Sequence, residues 1–421
     1  MNVRRSAAAL AASAVLCVGA APAALADTAP PASPSAPPVI PSGLYGKKDP
    51  MYDGVWRQSF ALLALHTVGV KPAGQAVDWL TGQQCPNGSF PSFRADTAKA
   101  CDASTYIDSN ATAAAVQALA ALGGHDETVK KAVGWLKSVQ NEDGGWSSNP
   151  GGAMDSGTDA NSTGIVISAL AAAGEKPAEV KSKAGKSPYE ALLTFQLGCS
   201  AEPAADRGAF AFQPVDGKLL ANADATAAAA LAGLGTGAAV PPATTDTPAT
   251  ALACPAGSAD PVAAAQGAAG YLAEALEKDG HLTASTPGSD QPTPDTGNTA
   301  DAVIALAAAG HKQSAAGALE WLKANSAQWS KDNPAALGTL ILAAHATGTD
   351  PKSFGGTDLV SALNATGPAP QGTDTSATTV DSDEDKPSGG QSIWWIIGAG
   401  GAAGVGIGIL LSGRRKKKNQ L

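Results

Sequence analysis

Gln140-Asn141-Glu142-Asp143-Gly144-Gly145-Trp146 follows Trp135-Leu136 and precedes Asp159-Ala160-Asn161-Ser162-Thr163. The first part reads as a helix end and a tight Asp-Gly turn, the second as the start of a new helix whose Asp accepts a backbone N–H. The unit recurs. Trp79-Leu80 leads to Gln84-Cys85-Pro86-Asn87-Gly88-Ser89-Phe90 and then to Asp108-Ser109-Asn110-Ala111-Thr112. The aligned positions Trp79, Trp135 and Ala191 are 56 residues apart each time, and Tyr271 and Trp321 continue the series at altered spacing. A period of this size marks an array of helical hairpins.

Two kinds of helix alternate. One is amphipathic: Val129, Ala132, Val133, Leu136 and Val139 share a face, and Lys130, Lys131 and Lys137 share the other. The second kind reads as apolar nearly all round, over Ala111–Leu122, Gly164–Ala173, Ala225–Leu234 and Ala300–Ala309. Such helices are buried on every side. The pattern places inner helices at about 53–69, 108–123, 159–174, 222–235, 295–310 and 332–348. Outer helices fall at about 73–84, 126–140, 187–198, 262–278, 314–325 and 356–364. The expected fold is all-α: an (α/α)6 toroid of six inner and six outer helices over 53–364, with a long loop at 236–260. An open solenoid is the alternative, and it would call for polar capping repeats that the sequence lacks.

The ends read differently. Arg4-Arg5, an apolar run and Ala24-Leu25-Ala26 give a signal peptide over 1–26. A Pro-rich leader follows at 27–52. Residues 365–392 form an acidic, disordered stalk containing Asp381-Ser382-Asp383-Glu384-Asp385. Ile393 to Leu411 carries no charge and is long enough for a transmembrane helix, followed by a basic cytoplasmic tail at 412–421. Gly400, Gly404 and Gly408 in this run follow a small-xxx-small spacing. No LPxTG-like sorting signal precedes it. The expected location is the cell membrane, single-pass, with most of the chain extracellular and the membrane as one partner.

The net charge is −9. Removing Arg4, Arg5 and the five tail cations from 28 basic residues leaves 21 against 37 acidic ones, so the ectodomain stands at −16. That excludes a nucleic-acid footprint, which would be basic. Four cysteines remain after the signal peptide: Cys85, Cys101, Cys199 and Cys254. An even count outside the cytoplasm suggests two disulfides, in one of three pairings. Cys85–Cys101 and Cys199–Cys254 is the expected set, because each pair brackets one loop. Zinc is the alternative, without the CxxC spacing it favours.

Gln140 to Trp146 resembles the QW motif of squalene cyclases, and Gln84 to Phe90 and Asp279-Gly280-His281-Leu282 are weaker copies. The chain from 53 to 364 is thus similar to the terpenoid cyclase and protein prenyltransferase (squalene oxidase repeat) fold. The resemblance implies the toroid; the motif's own work is structural. The Asp-x-Asp-Asp acid of class II cyclases and the Asp, Cys and His zinc ligands of prenyltransferases are not found. Gly198-Cys199-Ser200-Ala201-Glu202 departs from a thioester motif. No catalytic and no metal-binding residue is assigned. Asp295-Thr296-Gly297-Asn298-Thr299-Ala300 and Asp108 to Ala113 also resemble inner-helix starts of the cobalamin-carrier α-domain, a secreted, disulfide-linked (α/α)6 toroid. Those carriers add a small β-domain over the ligand, whereas here the last helix leads into the stalk. A cobalamin-like ligand is what this resemblance implies.

The candidate ligand-binding residues are the polar pairs that open the inner helices: Asp108, Asn110, Asp159, Asn161, Asn222, Asp224, Asp295 and Asn298. One residue per start suffices as an N-cap; the second is free to line the mouth of the ring. Paired carboxylates for glycosidase-like work are offered by Asp155 with Asp159, and by Asp49 with Asp53. Tyr52, Trp56, Tyr106, Trp146, Phe210 and Phe212 are expected near the same face. His66 and His345 fall at C-terminal helix positions, where the dipole favours a cation. The function expected is an extracellular binding module for a small ligand. The alternatives are a divergent terpenoid cyclase or prenyltransferase-type enzyme and a scaffold for a surface protein.

Overall fold

The computed structural model describes residues 40–102, 105–254, 260–284 and 292–372. The chain runs through α1 (Gly54–Thr67), α2 (Gly74–Gly82), α3 (Ser109–Leu122), α4 (Asp126–Ser138), α5 (Ala160–Ala172) and α6 (Pro188–Leu192). It continues through α7 (Ala223–Gly233), α8 (Pro261–Glu277), α9 (Thr296–Ala308), α10 (Ala316–Asn325), the short α11 (Ala327–Ser330), α12 (Pro334–Thr347) and α13 (Leu359–Asn364). Helix α1 packs on α3, α3 on α5, α5 on α7, α7 on α9 and α9 on α12, and α12 returns to α1. That last contact closes the ring and excludes the open solenoid. Helices α2, α4, α6, α8, α10 and α13 each pack outside the inner helix before them.

Alanine makes the inner ring feasible. It has high helix propensity and little volume, so six helices can crowd one axis. Ala113, Ala115, Ala118, Ala169, Ala230 and Ala305 are all fully buried. Two loops contain short antiparallel ribbons that the periodicity does not reveal. β1 (Phe210–Ala211) pairs with β2 (Ala221–Asn222) ahead of α7. β3 (Leu282–Ala284) pairs with β4 (Thr293–Asp295) ahead of α9.

The recurring motif works as a set of staples. Gln84 Nε2 donates to the Gly88 carbonyl of its own turn (3.1 Å) and to the Thr128 carbonyl of α4 (2.9 Å). Gln196 does the same with Gly208 (3.4 Å) and Ala264 of α8 (3.1 Å). At four of the six inner-helix starts, α3, α5, α7 and α9, a threonine four residues after the cap holds the other side. The N–H groups of Phe90, Trp146, Phe210 and Leu282 donate to the hydroxyls of Thr112, Thr163, Thr226 and Thr299, at 2.9 to 3.0 Å. All four threonines are fully buried. Thr226→Val keeps the shape but leaves the Phe210 N–H unpaired. It is expected to lower stability by about 1–3 kcal/mol in denaturant unfolding, while Thr226→Ser stays close to the parent. Equal stability of all three proteins would remove the staple from the account.

Three segments differ from the sequence reading. The expected leader at 27–52 is part of the fold from residue 40. Tyr45 is fully buried, its N–H donates to Gln58 Oε1 (2.8 Å), and Gln58 Nε2 reaches Gly43 and Ala76 carbonyls. Residues 365–372 of the expected stalk are also tied down. Gly46 N–H donates to Thr366 (2.8 Å) and Gln371 N–H to Lys71 (2.9 Å). The loop at 236–260 has linker-like composition, yet its described part lies across the C-terminal ends of inner helices. Ala243 N–H donates to Ala346 (3.0 Å) and Thr247 N–H to Gly310 (3.0 Å). Ala238 N–H reaches Gln117 Oε1 inside the ring (2.9 Å).

Cys85 is bonded to Cys101 and Cys199 to Cys254, the second pair fixing the end of this loop. His345 does end an inner helix, but burial moves its pKa down, so desolvation outweighs the dipole there. The expected signal peptide (1–26), the rest of the expected leader and stalk, the expected transmembrane helix (393–411) and the expected tail (412–421) fall outside the described residues. Among the described residues, no helix is long and apolar enough to cross a membrane.

Candidate functional site

The inner-helix starts are linked around one end of the ring. Val55 N–H donates to Ser92 (2.9 Å), Ser109 N–H to Ser148 (2.9 Å) and Ala160 N–H to Phe212 (3.0 Å). Each bond joins one helix start to the loop that leads into the next inner helix. The loop of 236–254 covers the opposite end, so the two ends of the ring are unlike.

The first polar residue of each pair is a cap. Asp108 Oδ1 accepts from Asn110 (2.8 Å) and Ala111 (3.0 Å). Asp159 Oδ1 accepts from Ser162 (2.6 Å), Asn222 Oδ1 from Ala225 (2.8 Å) and Asp295 Oδ1 from Asn298 (3.0 Å). The second residues part company. Asn298 turns back and donates from Nδ2 to Asp295 Oδ2 (2.7 Å). Asn110 is not among the cavity residues, and its buried Oδ1 has no partner. Asn161 and Asp224 line a cavity of about 80 Å³ in the middle of the ring.

Of the aromatics expected near this face, Trp56 lines the cavity, and Phe60, Gln117, Ser168 and Asp301 join it without having been expected there. Trp56 and Phe60 of α1 stack on each other at 4.7 Å between ring centroids and form one wall. Ile165, Leu231 and Ile304 supply apolar walls, and Ala238 of the long loop belongs to the lining. Gln117, Ser168 and Asp301 supply polar atoms. The helices that hold these three read as apolar all round; each in fact presents a polar side chain to the interior. A lone Asp in the run from Thr296 to Ala308 was the available signal.

The electrostatics are one-sided. Burial first, then the charges of Asp224 and Asp295, push Asp301 up to about 8. Asp224 is raised by burial and by Asp295, with the Asn161 side chain opposing. Asp159 is pushed up to about 6, chiefly by burial and further by Asp224, while its cap bonds oppose the shift. Burial also raises Asp108. No Lys or Arg is among the residues lining the cavity. The nearest cation along α1, Arg57, is engaged with Asp53 at 3.3 Å and the Lys48 carbonyl at 2.8 Å. At neutral pH Asp301 therefore holds its proton and can donate it.

The other sequence candidates fall elsewhere. Asp155 is exposed and bonded by the Gly151 and Gly157 N–H groups, whereas Asp159 is fully buried, so this pair does not act on one substrate atom. Asp53 is committed to Arg57. Trp146 and Phe210 are fully buried packing residues. Tyr52 (85 %), Tyr106 (42 %), Met154 (66 %), Phe212 (42 %) and Leu220 (57 %) are exposed on the loops leading into α1, α3, α5 and α7. They form an apolar rim on the helix-start end. Among the described residues, no group of three or more His, Cys, Asp or Glu is arranged to hold a metal ion.

No family model matches the chain, and no curated protein matches it. Among solved structures it is similar to ent-copalyl diphosphate synthase from Streptomyces platensis, at 18% identity and a TM-score of 0.45, over 70% of this chain and 50% of that one. The chain thus spans half the length of that enzyme. It is also similar to a protein from Actinoplanes, at 16% identity and a TM-score of 0.45, over 74% of this chain and 96% of that one. A type II terpene cyclase from Scytonema gives 19% identity and a TM-score of 0.41, over 67% of this chain and 72% of that one. The closure of the ring rests on its own helix contacts.

Proposed function

We propose that this chain is an extracellular capture module, tethered to the membrane by its C-terminal segment, that binds a small ligand across the helix-start end of the ring. The observation that carries this reading is the asymmetry of the two ends. One end is crossed by the loop of 236–254, and the other presents an exposed apolar rim above the polar side chains of Asn161, Asp224 and Asp301. Exposed aromatic and aliphatic side chains around a concave, partly polar floor are what a ligand site uses.

A corrinoid-like molecule is the first ligand to test. It is too large for a cavity of about 80 Å³, so it would lie across the rim with its amide groups toward the helix starts. Purified 27–392 is expected to change the visible spectrum of cobalamin and to release heat on mixing. Tyr52→Ser combined with Phe212→Ser is expected to weaken that binding about tenfold or more without lowering the unfolding temperature. No spectral change and no heat would remove the corrinoid reading.

A second reading is favoured by Asp301. A carboxylic acid that stays protonated at neutral pH, in an apolar cavity beside two aromatic residues, has the makings of an acid for the end of a polyprenyl chain, the rest of which would lie outside a cavity of about 80 Å³. Asp159 caps α5, so the residue on which this cyclase-type reading is tested is Asp301. Turnover of polyprenyl diphosphates that disappears in Asp301→Asn would support it. No turnover across a substrate panel would count against it.

A further inference from the structure

We infer that the cavity beneath the rim takes a small organic ammonium group, seated between Asp224 and Asp301 and against the faces of Trp56 and Phe60. The inference deepens the capture reading, on which it rests only for the route by which a ligand enters. Its first support is charge of one sign. Asp224 and Asp301 line the cavity, and Asp295 bears electrostatically on both. No lining residue is basic. Carboxyls gathered in an apolar space without a cation are costly to ionise, and a bound cation removes that cost.

The second support is unmet bonding. No hydrogen bond to the Asp301 carboxyl occurs among the described residues, although it sits in the wall of α9. Asp159, behind the lining, is fully buried with an Oδ2 that has no partner, and the charge of Asp224 bears on it. Buried polar atoms without partners ask for a group that supplies donors or charge. The third support is the aromatic wall. Trp56 and Phe60 both line the cavity, and the attraction of an aromatic ring for a cation grows where water is excluded.

Size and lining select the kind of cation. About 80 Å³ suits a group of a few heavy atoms. A divalent metal ion would need six or more oxygen ligands or retained waters. The walls of Ile165, Leu231 and Ile304 supply none. An alkylated nitrogen meets apolar walls with its carbons and the carboxyls with its charge. Such a group is a primary or quaternary ammonium at the end of a larger ligand.

The test uses the full chain in detergent with choline as the probe and 3,3-dimethyl-1-butanol, its neutral isostere, as the control. Calorimetry is expected to show choline binding in the millimolar range and the alcohol about tenfold weaker or absent. Asp224→Asn is expected to weaken choline about tenfold and Trp56→Leu severalfold, with circular dichroism confirming the fold of each. Choline does not titrate, so any pH dependence belongs to the protein. Its affinity is expected to rise between about pH 6 and about pH 9 as Asp301 releases its proton beside Asp224 and Asp295, and to be flat in Asp301→Asn. Equal binding of choline and the alcohol, or no choline binding, overturns the inference. A chain that binds cobalamin but not choline keeps the capture reading and loses this one. The converse loses only the corrinoid.

Discussion

Gly144→Ala is expected to destabilise the ring by about 3 kcal/mol or more and to lower its unfolding temperature by about 5–10 °C. Gly144 has φ = +102°, a backbone region that a Cβ disfavours. The added carbon would also press on the carbonyl of Ser187. That carbonyl cannot swing aside freely, because Ser187 is the N-cap of α6 in a reciprocal capping box with Glu190. The same geometry occurs at Gly88 against Lys131 of α4 and at Gly208 against Gly267 of α8. Each turn butts against the backbone of the next outer helix, and glycine is what lets it approach so closely. Gly151→Ala is the control. It too has a positive φ (+70°), but nothing lies within 4 Å of the new carbon, so a loss of about 1 kcal/mol is expected. If thermal unfolding followed by circular dichroism gives the two variants the same midpoint, the turn contact does not hold the ring.

The ring was legible because its determinants are local and repeated. Turn glycines, capping Asp and Asn, and alanine-rich helices each announce themselves within a few residues, and the period multiplies the signal. What was lost depends on contacts distant in sequence. Whether Asp301 faces the interior is set by the rotation of α9 about its axis, which its neighbours α7 and α12 decide. The Ala and Gly residues around it dilute one charge in any average over the helix. The loop after α7 has the composition of a linker, and what distinguishes it from one is its bonding to distant residues such as Gln117, Gly310, His311 and Ala346. Tyr45 lay in a stretch read as leader because Pro and Ser surround it, yet its ring is fully buried and the Gln58 side chain bridges its N–H to Gly43 and Ala76. The polar pairs were legible as positions but not as roles. Asn161 and Asn298 look alike in sequence; one reaches the cavity, and the other is spent on Asp295.

Asp301→Asn is expected to stabilise the protein, on the order of 3 kcal/mol at neutral pH, and to have no effect below about pH 4. The sign follows from where the proton resides. In the unfolded chain Asp301 has an ordinary carboxyl pKa, and in the folded chain burial beside Asp224 and Asp295 moves it up to about 8. Between about pH 4 and about pH 8 the unfolded state has released this proton and the folded state has kept it, so this group makes stability fall as pH rises. Above about pH 8 the folded state carries the charge itself, and the loss levels off. Asparagine resembles the protonated acid in shape and removes the whole dependence. Melting curves of the two proteins at several pH values check it, and parallel curves with no divergence above about pH 4 would sink the assignment. An alanine at this position would suit a buried alanine-rich helix. A carboxyl there lowers stability above about pH 4, and functional sites are where proteins give up stability. The pairing of outcomes separates function from accident: a variant that folds better and also loses the rise of choline affinity with pH has given up a working group.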